Sequence, residues 1–552
     1  MSSGHYLASE AAFCILEAGG NAVDAGCCAG IALGVLRPHV VNFAGVAPIM
    51  IRTGSGRAVT IAGLGHWPSR LPDDIFVDEH GATIPTGVLR TVVPAAPDAW
   101  ITALRDFGTL SFGDVAAAAA RIAREGFVVD ENITTWIEDY EESYAQWPSN
   151  AEIFLPGGRP PAVGSRFVQT DLADTIQYMI DAERSASRKG RDAGLEAARA
   201  AFYCGEIAQA IVGYHEEHGG YLRHDDLASF RSRYEPVVPT RWRDVDVLTC
   251  GPWCQGPVLA ESLQLLEAAG LSSVRTKDAD YAHLLIEVLK RAFADREHRY
   301  GDPRFVDVGL DELLSEERAR AWVAGIDPKR ATPAMPEPLD GRPWAGPGAA
   351  TLETARAGAD TSYVCVIDKW GNAFSATPSD GSDDGPVIPG TGIVPSTRGS
   401  QSRPDPTHPS GVKAGKRPRL TPNPAMAITG DGSVLSFGCP GGDMQVQAML
   451  QVFLNIFHFG MDVQEAIDAP RFSTWSFPNS FAPFEYLPNR VAVEARVPTV
   501  IVDDLRRRGH DVRVWSAFAR KAAAVDAVLL DRSSGFLRAG ADPREPAYAL
   551  AR

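Results

Sequence analysis

Thr361 stands at a point in the sequence where a threonine could act as a nucleophile. It follows Asp360, the last residue of a Pro/Gly-rich segment, and it precedes an apolar, strand-like run at residues 363–367. If the 360–361 bond were cut, Thr361 would carry a free α-amine with a reference pKa of roughly 7.7–8.0, against ~10.4 for lysine. This amine could act as the general base for the hydroxyl group of the same residue. A structural threonine at the start of a strand is the alternative.

A pair of glycines could supply the matching oxyanion site. Gly441 and Gly442 follow Pro440, an apolar strand predicted at residues 434–437, and precede a helix rich in large apolar residues. Glycines at a strand-to-helix junction let the backbone approach a ligand, and their N–H groups would lie near the positive end of the helix. A plain tight turn is the alternative.

Two metal-like motifs do not meet the spacing that metal binding needs. His215 and His218 are three residues apart, whereas the zincin motif places its histidines four apart on one face of a helix, so we predict a solvated helix end here. Residues 380–385 resemble the start of an EF-hand loop, but the twelfth position is Thr391, which cannot give a bidentate carboxylate. The sequence has neither a P-loop nor a nucleophile elbow. We therefore predict no metal and no cofactor.

Helices and strands must position these residues, and their pattern indicates an α/β chain. Apolar spacing and capping residues predict helices at 8–18, 22–36, 114–124 and 281–295. Residues 363–367, a turn at 368–372 and residues 373–377 read as a β-hairpin. A Pro/Gly-rich connector at 325–360 precedes this hairpin, and a Pro/Ser/Gly-rich segment at 378–424 follows it. Long irregular segments within a compact domain are usually functional or disordered. Because such segments lie on both sides of the hairpin, we predict that the chemistry takes place there.

Composition places the chain among globular proteins. Its 552 residues are 45% apolar and 22% charged, which excludes disorder, collagen and coiled coil as overall classes. At about 150 residues per domain the length predicts three to four domains or one large α/β unit. The net charge of −16 argues against nucleic acid as a partner, because a protein that binds a polyanion needs a basic face.

The sequence also predicts a cytoplasmic protein that does not enter the membrane. The longest charge-free stretch near the start, residues 40–51, is too short to cross a bilayer. No basic stretch followed by an apolar core opens the sequence, so no secretory signal is expected. The eight cysteines show no paired spacing, which favours buried free thiols in a reducing compartment over disulfides or a metal framework.

Motifs spaced along nearly the whole chain resemble the γ-glutamyltransferase family of N-terminal-nucleophile hydrolases. They are SE (9–10), GGNAVDA (19–25), FYCGEIA (202–208), AFADR (292–296), GDP (301–303), DKWGNA (368–373), PGG (440–442) and DAPRF (468–472). The resemblance implies a four-layer αββα sandwich and a precursor that cuts itself between Asp360 and Thr361. Residues 1–360 would be the large subunit, residues 361–552 the small one, and together they would form one unit.

The resemblance also assigns roles to single residues. Thr361 matches the nucleophilic threonine of the family. Ser379 matches a second threonine whose hydroxyl group contacts the free amine, and the change keeps that hydroxyl group. Gly441 and Gly442 match the glycine pair of the oxyanion hole.

The positions that bind the substrate head group depart from the family pattern. The arginine that holds the glutamyl α-carboxylate would fall within residues 62–68, which contain no arginine, and paired serines become Leu420 and Thr421. The residues that receive the α-ammonium group align with Arg398 and Gln401, and an arginine there would repel it. We therefore expect an acid without an amino group, with Arg398 as a contact for its carboxylate. The alternative is that Arg398 anchors the lid loop.

The pattern looks most like the oxamate amidohydrolase branch, which releases ammonia from oxamate to give oxalate in purine and allantoin breakdown. We therefore predict an amidohydrolase for a small acid amide. One alternative is a γ-glutamyltransferase or glutathione hydrolase with a rebuilt glutamyl pocket. Another is a family member that is never processed and serves as a binding scaffold. The processed pair of subunits could also form a homo-oligomer.

Overall fold

The computed structural model of the chain describes residues 1–340, 342, 346, 348, 351 and 360–552. Residues 360 and 361 are joined in one continuous chain. The predicted site residues all lie in the described part. Much of the predicted connector at 325–360 lies outside it, and its described residues 325–340 form neither a helix nor a strand.

The described part of the chain contains eighteen strands. They are β1 (Ser2–Ser3), β2 (Ile49–Arg52), β3 (Ala58–Ile61), β4 (Phe127–Val128), β5 (Arg166–Phe167), β6 (Tyr234–Glu235), β7 (Val238–Trp242), β8 (Val245–Thr249), β9 (Val364–Ile367), β10 (Ala373–Ala376), β11 (Ala425–Thr429), β12 (Val434–Gly438), β13 (Phe472–Thr474), β14 (Arg490–Glu494), β15 (Asp511–Trp515), β16 (Asp526–Leu530), β17 (Leu537–Gly540) and β18 (Tyr548–Ala549).

Nineteen α-helices accompany these strands in the same described residues. They are α1 (Tyr6–Glu17), α2 (Ala22–Leu36), α3 (Ile75–Asp78), α4 (Ala96–Phe107), α5 (Phe112–Glu125), α6 (Glu131–Asp139), α7 (Glu141–Ala145), α8 (Pro148–Phe154), α9 (Thr170–Ala186), α10 (Arg191–Tyr203), α11 (Glu206–Glu217), α12 (His224–Ser229), α13 (Gly256–Ala268), α14 (Ala279–Arg299), α15 (Leu310–Leu313), α16 (Glu316–Ala324), α17 (Met444–Phe457), α18 (Val463–Asp468) and α19 (Thr499–Arg507). Short 3₁₀ helices lie at Val88–Arg90, Ser187–Lys189, Leu271–Ser273, Arg398–Gln401 and Arg520–Ala522.

Two antiparallel sheets form the centre of the molecule. The first has the strand order β18-β1-β9-β10-β2-β3-β6, and the second has the order β17-β16-β12-β11-β8-β7. All neighbouring strands in both sheets are antiparallel. A small sheet, β13-β14-β15, and the pair β4-β5 lie outside them.

The side chains of β9 show how the layers are stacked. Val364 and Val366 belong to a core shared with α2, α4, α5 and α9, whereas Cys365 and Ile367 belong to a core shared with the second sheet. Successive residues of a strand point to opposite faces, so the first sheet has helices on one face and the second sheet on the other. The far face of the second sheet packs on α13, α14 and α17.

The α2 helix is the buried helix that the sequence predicts, and it begins and ends at the predicted residues. All of its residues are buried, and Asn21 and Asp24 form a capping box at its start. Gly26 lies against Phe374 of β10, and a Cβ atom on Gly26 would come 2.2 Å from that ring. Small residues therefore let this helix lie directly on the hairpin.

Other predicted elements are confirmed with small changes at their ends. The helices predicted at 8–18, 114–124 and 281–295 are α1, α5 and α14, and each is longer at one end or both. The predicted hairpin is β9 and β10, and the predicted strand before the glycine pair is β12. The mixed α/β class is thus confirmed. Among the described helices, none combines the length and the apolar character needed to span a membrane.

Two predictions about polar side chains need correction. His215 is buried within α11, and only His218 lies at the exposed end, so the pair is not a solvated helix end. His215 is buried because the turn that follows α11 packs closely on it, since a Cβ atom on Gly220 would come 2.2 Å from His215 Nδ1. The eight cysteines are free thiols, but Cys14 and Cys204 are exposed and the other six buried.

We expect Gly26→Ala to destabilise the protein by about 1–3 kcal/mol, because the added methyl group overpacks the contact with Phe374. Gly213 is the matched control, since it is also helical but exposed, with open space where a Cβ atom would stand. Gly213→Ala should raise stability by up to about 1 kcal/mol through helix propensity. The midpoints of thermal unfolding measure both changes, and equal midpoints for the two variants would contradict the close contact.

Candidate active site

The register of the β9–β10 hairpin brings Thr361 and Ser379 together. Val364 pairs with Ala376, and the pairing continues outward through a 3.0 Å bond from Ser362 N to the Pro378 carbonyl oxygen. One further step along both strands places Thr361 Oγ1 2.6 Å from Ser379 Oγ. Both side chains are buried. The hydroxyl group of the predicted nucleophile is therefore hydrogen-bonded to that of Ser379, whereas the predicted contact of Ser379 with a free amine stays a prediction.

The backbone on both sides of this contact is in an unusual conformation. Thr361 has a φ of +125° and Asp380 a φ of +126°, in a region that residues with a side chain rarely adopt. Such conformations cost on the order of 1–3 kcal/mol each and persist only where the surroundings hold them. Here Ser379 is held by two backbone hydrogen bonds with Val46, of 3.0 and 3.2 Å. The bond predicted to be cut thus adjoins a strained residue.

Arg398 lies directly beside the two hydroxyl groups. Its Nη2 atom donates hydrogen bonds to Asp360 Oδ2 and to Ser379 Oγ, and its side chain is buried. The guanidinium group also lies over the ring of Phe481, 5.4 Å from the ring centroid. A buried cation therefore touches both the residue before Thr361 and the partner of its hydroxyl group.

Asp380 is a second buried ionisable group at this place, although no motif in the sequence assigns it to the site. Its carboxylate accepts hydrogen bonds from Ser396 Oγ at 2.5 Å and Thr397 Oγ1 at 2.9 Å. Arg398 Nε lies 3.7 Å from Oδ1. Burial raises the pKa of Asp380 to about 6, although the nearby arginine acts in the opposite direction.

The glycine pair has the backbone geometry that only glycine adopts easily. Gly441 and Gly442 connect β12 to α17 with φ values of +125° and +54°. A Cβ atom on Gly442 would stand 3.4 Å from the ring of Phe481, the ring that also lies under Arg398. Gly442 and Arg398 therefore both lie near the ring of Phe481, and the glycine pair stands just before the start of α17.

Gln255 links the glycine pair to Thr421, although no motif in the sequence marks it as a site residue. Its Nε2 atom donates to the carbonyl oxygens of Gly442 at 2.8 Å and Thr421 at 3.0 Å. Gln401 Nε2 in turn donates to Thr421 Oγ1 at 3.0 Å. Gln401 and Thr421 thus bind each other, and neither lines the cavity at Arg398. Their direct contact with a substrate stays a prediction.

A cavity of about 210 Å³ opens next to Arg398 and Asp360. Its lining combines three aromatic residues with several acidic ones: Trp136, Tyr140, Phe481, Asp360, Asp383, Asp384 and Glu485. Asp384 forms a 2.8 Å ion pair with Arg90. Burial, followed by the charge of Asp384, raises the pKa of Asp383 well above its usual range, which favours its neutral form.

One buried group in the described residues has the donor atoms of a metal site, but its carboxylate is already paired with cations. His283 Nδ1 lies 2.9 Å from His510 Nε2, and Glu287 completes the group. The Glu287 carboxylate is bound by Lys290 Nζ and Arg291 Nη1, each at 2.9 Å. Two cations beside the only carboxylate disfavour a further positive ion.

Comparison with known proteins shows which family the chain belongs to. The gamma-glutamyltranspeptidase family model matches residues 8–551. The chain belongs to this family. The resemblance seen in the motifs is thereby confirmed, and the chain is an enzyme of the hydrolase class, with homologues named as hydrolase or amidohydrolase proenzymes.

Two curated relatives and one solved structure cover nearly the whole chain. The glutathione hydrolase-like YwrD proenzyme of Bacillus subtilis (strain 168) is 30% identical over 551 residues, covering 99% of this chain and 97% of that protein. The oxamate amidohydrolase proenzyme of Klebsiella pneumoniae is 28% identical over 550 residues, covering 98% and 96%. The crystal structure of cephalosporin acylase from Bacillus halodurans is similar with a TM-score of 0.84 at 29% identity, covering 100% of this chain and 95% of that one.

The raised pKa of Asp380 predicts how stability depends on pH. Its pKa is about 6 in the folded chain and ~3.9 in an unfolded one, so the folded state binds the proton more tightly. Its contribution to stability is therefore full below pH ~4 and is lost as the pH rises through 6. We expect the free energy of unfolding of the wild type, relative to Asp380→Asn, to fall by about 2 kcal/mol between pH 4 and 7. Chemical unfolding measures this difference, and parallel pH curves would contradict it.

Proposed function

We propose that the chain is a self-processing N-terminal-threonine amidohydrolase for a small acid amide that lacks an α-amino group. The observation that carries the proposal is the 2.6 Å contact between Thr361 Oγ1 and Ser379 Oγ, beside the buried Arg398. Cleavage after Asp360 gives a large subunit of residues 1–360 and a small subunit of residues 361–552. In this proposal the two sheets and their outer helices form the αββα sandwich of the N-terminal-nucleophile hydrolases.

Processing uses the same hydroxyl group as turnover. Thr361 Oγ1 attacks the carbonyl carbon of Asp360, the C–N bond breaks as a C–O ester bond forms, and the hydroxyl proton passes to the nitrogen. Water then hydrolyses the ester and leaves a carboxylic acid on Asp360 and a free amine on Thr361. The strained φ of Thr361 supports this step, because cutting the bond releases the constraint. The relatives named as proenzymes support it too.

Turnover begins once the amine is free. The amine takes the proton of Thr361 Oγ1 while the oxygen attacks the amide carbon of the substrate. The N–H groups of Gly441 and Gly442 hold the oxyanion, and the Ser379 hydroxyl group contacts the amine. The amide C–N bond breaks, ammonia leaves with the transferred proton, and water hydrolyses the acyl ester. No other base is needed.

The charges around the cavity support an acid without an ammonium group. Arg398 is a buried cation in contact with Ser379, so a substrate carboxylate finds a charge-assisted partner there. An ammonium group would need a free carboxylate, but Asp384 is paired with Arg90 and Asp383 favours its neutral form. Oxamate, which would give oxalate and ammonia, is the smallest substrate of this class and is named for one relative.

Glutathione hydrolysis with a modified glutamyl pocket is the second candidate. Asp383 and Asp384 line the same cavity as Arg398, and ionised they could receive an ammonium group. A relative with 30% identity is named glutathione hydrolase-like. A cytoplasmic location, a role in purine breakdown and a homo-oligomer of the processed pair stay predictions.

We expect Thr361→Ala to abolish both cleavage and turnover, because the variant lacks the attacking oxygen. Thr361→Ser is the matched control, since it keeps the hydroxyl group and should retain both at a reduced rate. Denaturing electrophoresis and N-terminal sequencing of the smaller piece measure the cleavage. A wild-type chain that stays whole, or a new terminus at any residue other than 361, would contradict the proposal.

We expect the cleaved protein to release ammonia from acid amides without an amino group faster than it releases glutamate from glutathione. The physical reason is that Arg398 attracts the carboxylate of the acid amides and repels the ammonium group of glutathione. Initial rates on a panel that includes oxamate, set against glutathione at the same concentration, measure the preference. Glutamate release at a rate equal to or above ammonia release would favour the second candidate.

A further inference from the structure

In the uncut chain, the side chain of Asp360 occupies the carboxylate position that the proposed function assigns to the substrate. Asp360 Oδ2 accepts a hydrogen bond from Arg398 Nη2, and the residue is 7% exposed. Arg398 Nη2 also contacts Ser379 Oγ, which lies 2.6 Å from Thr361 Oγ1. One guanidinium nitrogen therefore connects a carboxylate to the attacking hydroxyl group through a single intervening oxygen.

We propose that Asp360 is an internal copy of the acyl group, so that the enzyme prefers amides whose carboxylate lies two carbon atoms from the amide carbonyl, as in succinamate. The inference rests on the proposed function. During processing, Thr361 Oγ1 forms an ester with the carbonyl carbon of Asp360. Two carbon atoms, Cα and Cβ, separate this carbonyl from the carboxylate that Arg398 holds. An acyl-enzyme of the same length would place its carboxylate at the same guanidinium group.

Two atoms without a hydrogen-bond partner at this contact support tighter binding of a free carboxylate than of the tethered one. Among the described residues, Asp360 Oδ1 and Arg398 Nε are both buried without a hydrogen-bond partner. Arginine and carboxylate groups form their strongest contact with two parallel hydrogen bonds. The bond from Asp360 to Thr361 limits how the Asp360 carboxylate can turn, whereas a substrate carboxylate has no such restraint. Once the 360–361 bond is cut, Asp360 can leave and open the position.

The length of the acyl group matters because both of its ends are fixed. In oxamate the carboxylate is bonded directly to the amide carbon. With C–C bonds of about 1.5 Å, the distance from the carbonyl carbon to the carboxylate is about 2.5 Å shorter in oxamate than in the Asp360 acyl group. With its amide carbon at Thr361 Oγ1, its carboxylate stops short of the position that the Asp360 carboxylate occupies. A misplacement of about 1 Å can lower a rate on the order of 100-fold. Glutaramate, one carbon longer, has to fold its chain to fit.

The test measures ammonia release by protein that has been shown to be cut at the 360–361 bond. Oxamate, malonamate, succinamate and glutaramate form the series, and we expect kcat/KM for succinamate to be at least tenfold above that for oxamate and the highest of the four. A maximum at any other member would overturn the inference and leave the proposed function standing. No release from any of the four would overturn the proposed function, and this inference with it.

Butyramide provides the matched control, because it has the length of succinamate with a methyl group in place of the carboxylate. We expect Arg398→Gln to reduce the preference for succinamate over butyramide at least tenfold, with rates normalised to the cleaved fraction. The ratio separates binding of the carboxylate from any effect through Ser379, which changes both substrates alike. An unchanged ratio would overturn the role of Arg398.

A binding experiment tests the same idea without catalysis. Succinate should bind the cleaved wild type, as measured by calorimetry, and should bind uncut Thr361→Ala at least tenfold more weakly because Asp360 already occupies Arg398. Oxalate serves as the short control and should bind the cleaved protein more weakly than succinate. Equal affinity of succinate for the cut and uncut proteins would contradict the internal copy.

Discussion

The register of one buried hairpin determines where the reactive groups of this enzyme lie. Because Val364 faces Ala376, continuing the pairing to the ends of the strands sets Thr361 against Ser379. A shift of one residue would turn every side chain to the opposite face of the sheet, and both faces of this hairpin are buried. The cores on its two sides therefore fix the register, and through it the distance between the two hydroxyl groups.

The charges at the site follow from a second constraint, the burial of Arg398. A buried guanidinium group needs anionic or polar partners, since desolvation without them costs several kcal/mol. In the uncut chain Asp360 and Ser379 supply them, with Asp380 nearby. Departure of Asp360 would leave the cation with one carboxylate fewer, at a place where water is limited. In the proposed mechanism, the burial of Arg398 thus favours an anionic ligand once the chain is cut.

Local sequence patterns predicted the framework of the site but not its surroundings. The hairpin, α2 and α14 follow from apolar spacing and turn residues, and a five-residue turn between β9 and β10 is enough to pair Thr361 with Ser379. Gln255 and Phe481 come from distant, irregular parts of the chain, and no periodicity marks which residues of such segments meet. His215 was misjudged for a related reason, because its burial depends on how closely Gly220 packs on it.

In the proposed mechanism the uncut chain is blocked in two independent ways, and one cleavage removes both. The nitrogen of Thr361 is an amide in the precursor, so it has no basicity to offer its own hydroxyl group. The carboxylate of Asp360 also occupies Arg398, so the cavity lacks a free cation for a substrate. Either block alone would keep activity low. In the proposed mechanism, the second block also sets the distance between the carbonyl carbon of Asp360 and the carboxylate that Arg398 holds, and this is the distance that a substrate has to match. In the proposed mechanism, self-cleavage is then a reaction of the same site with the chain itself as substrate, and the residue that is cut has the shape of the acyl group that the site accepts later.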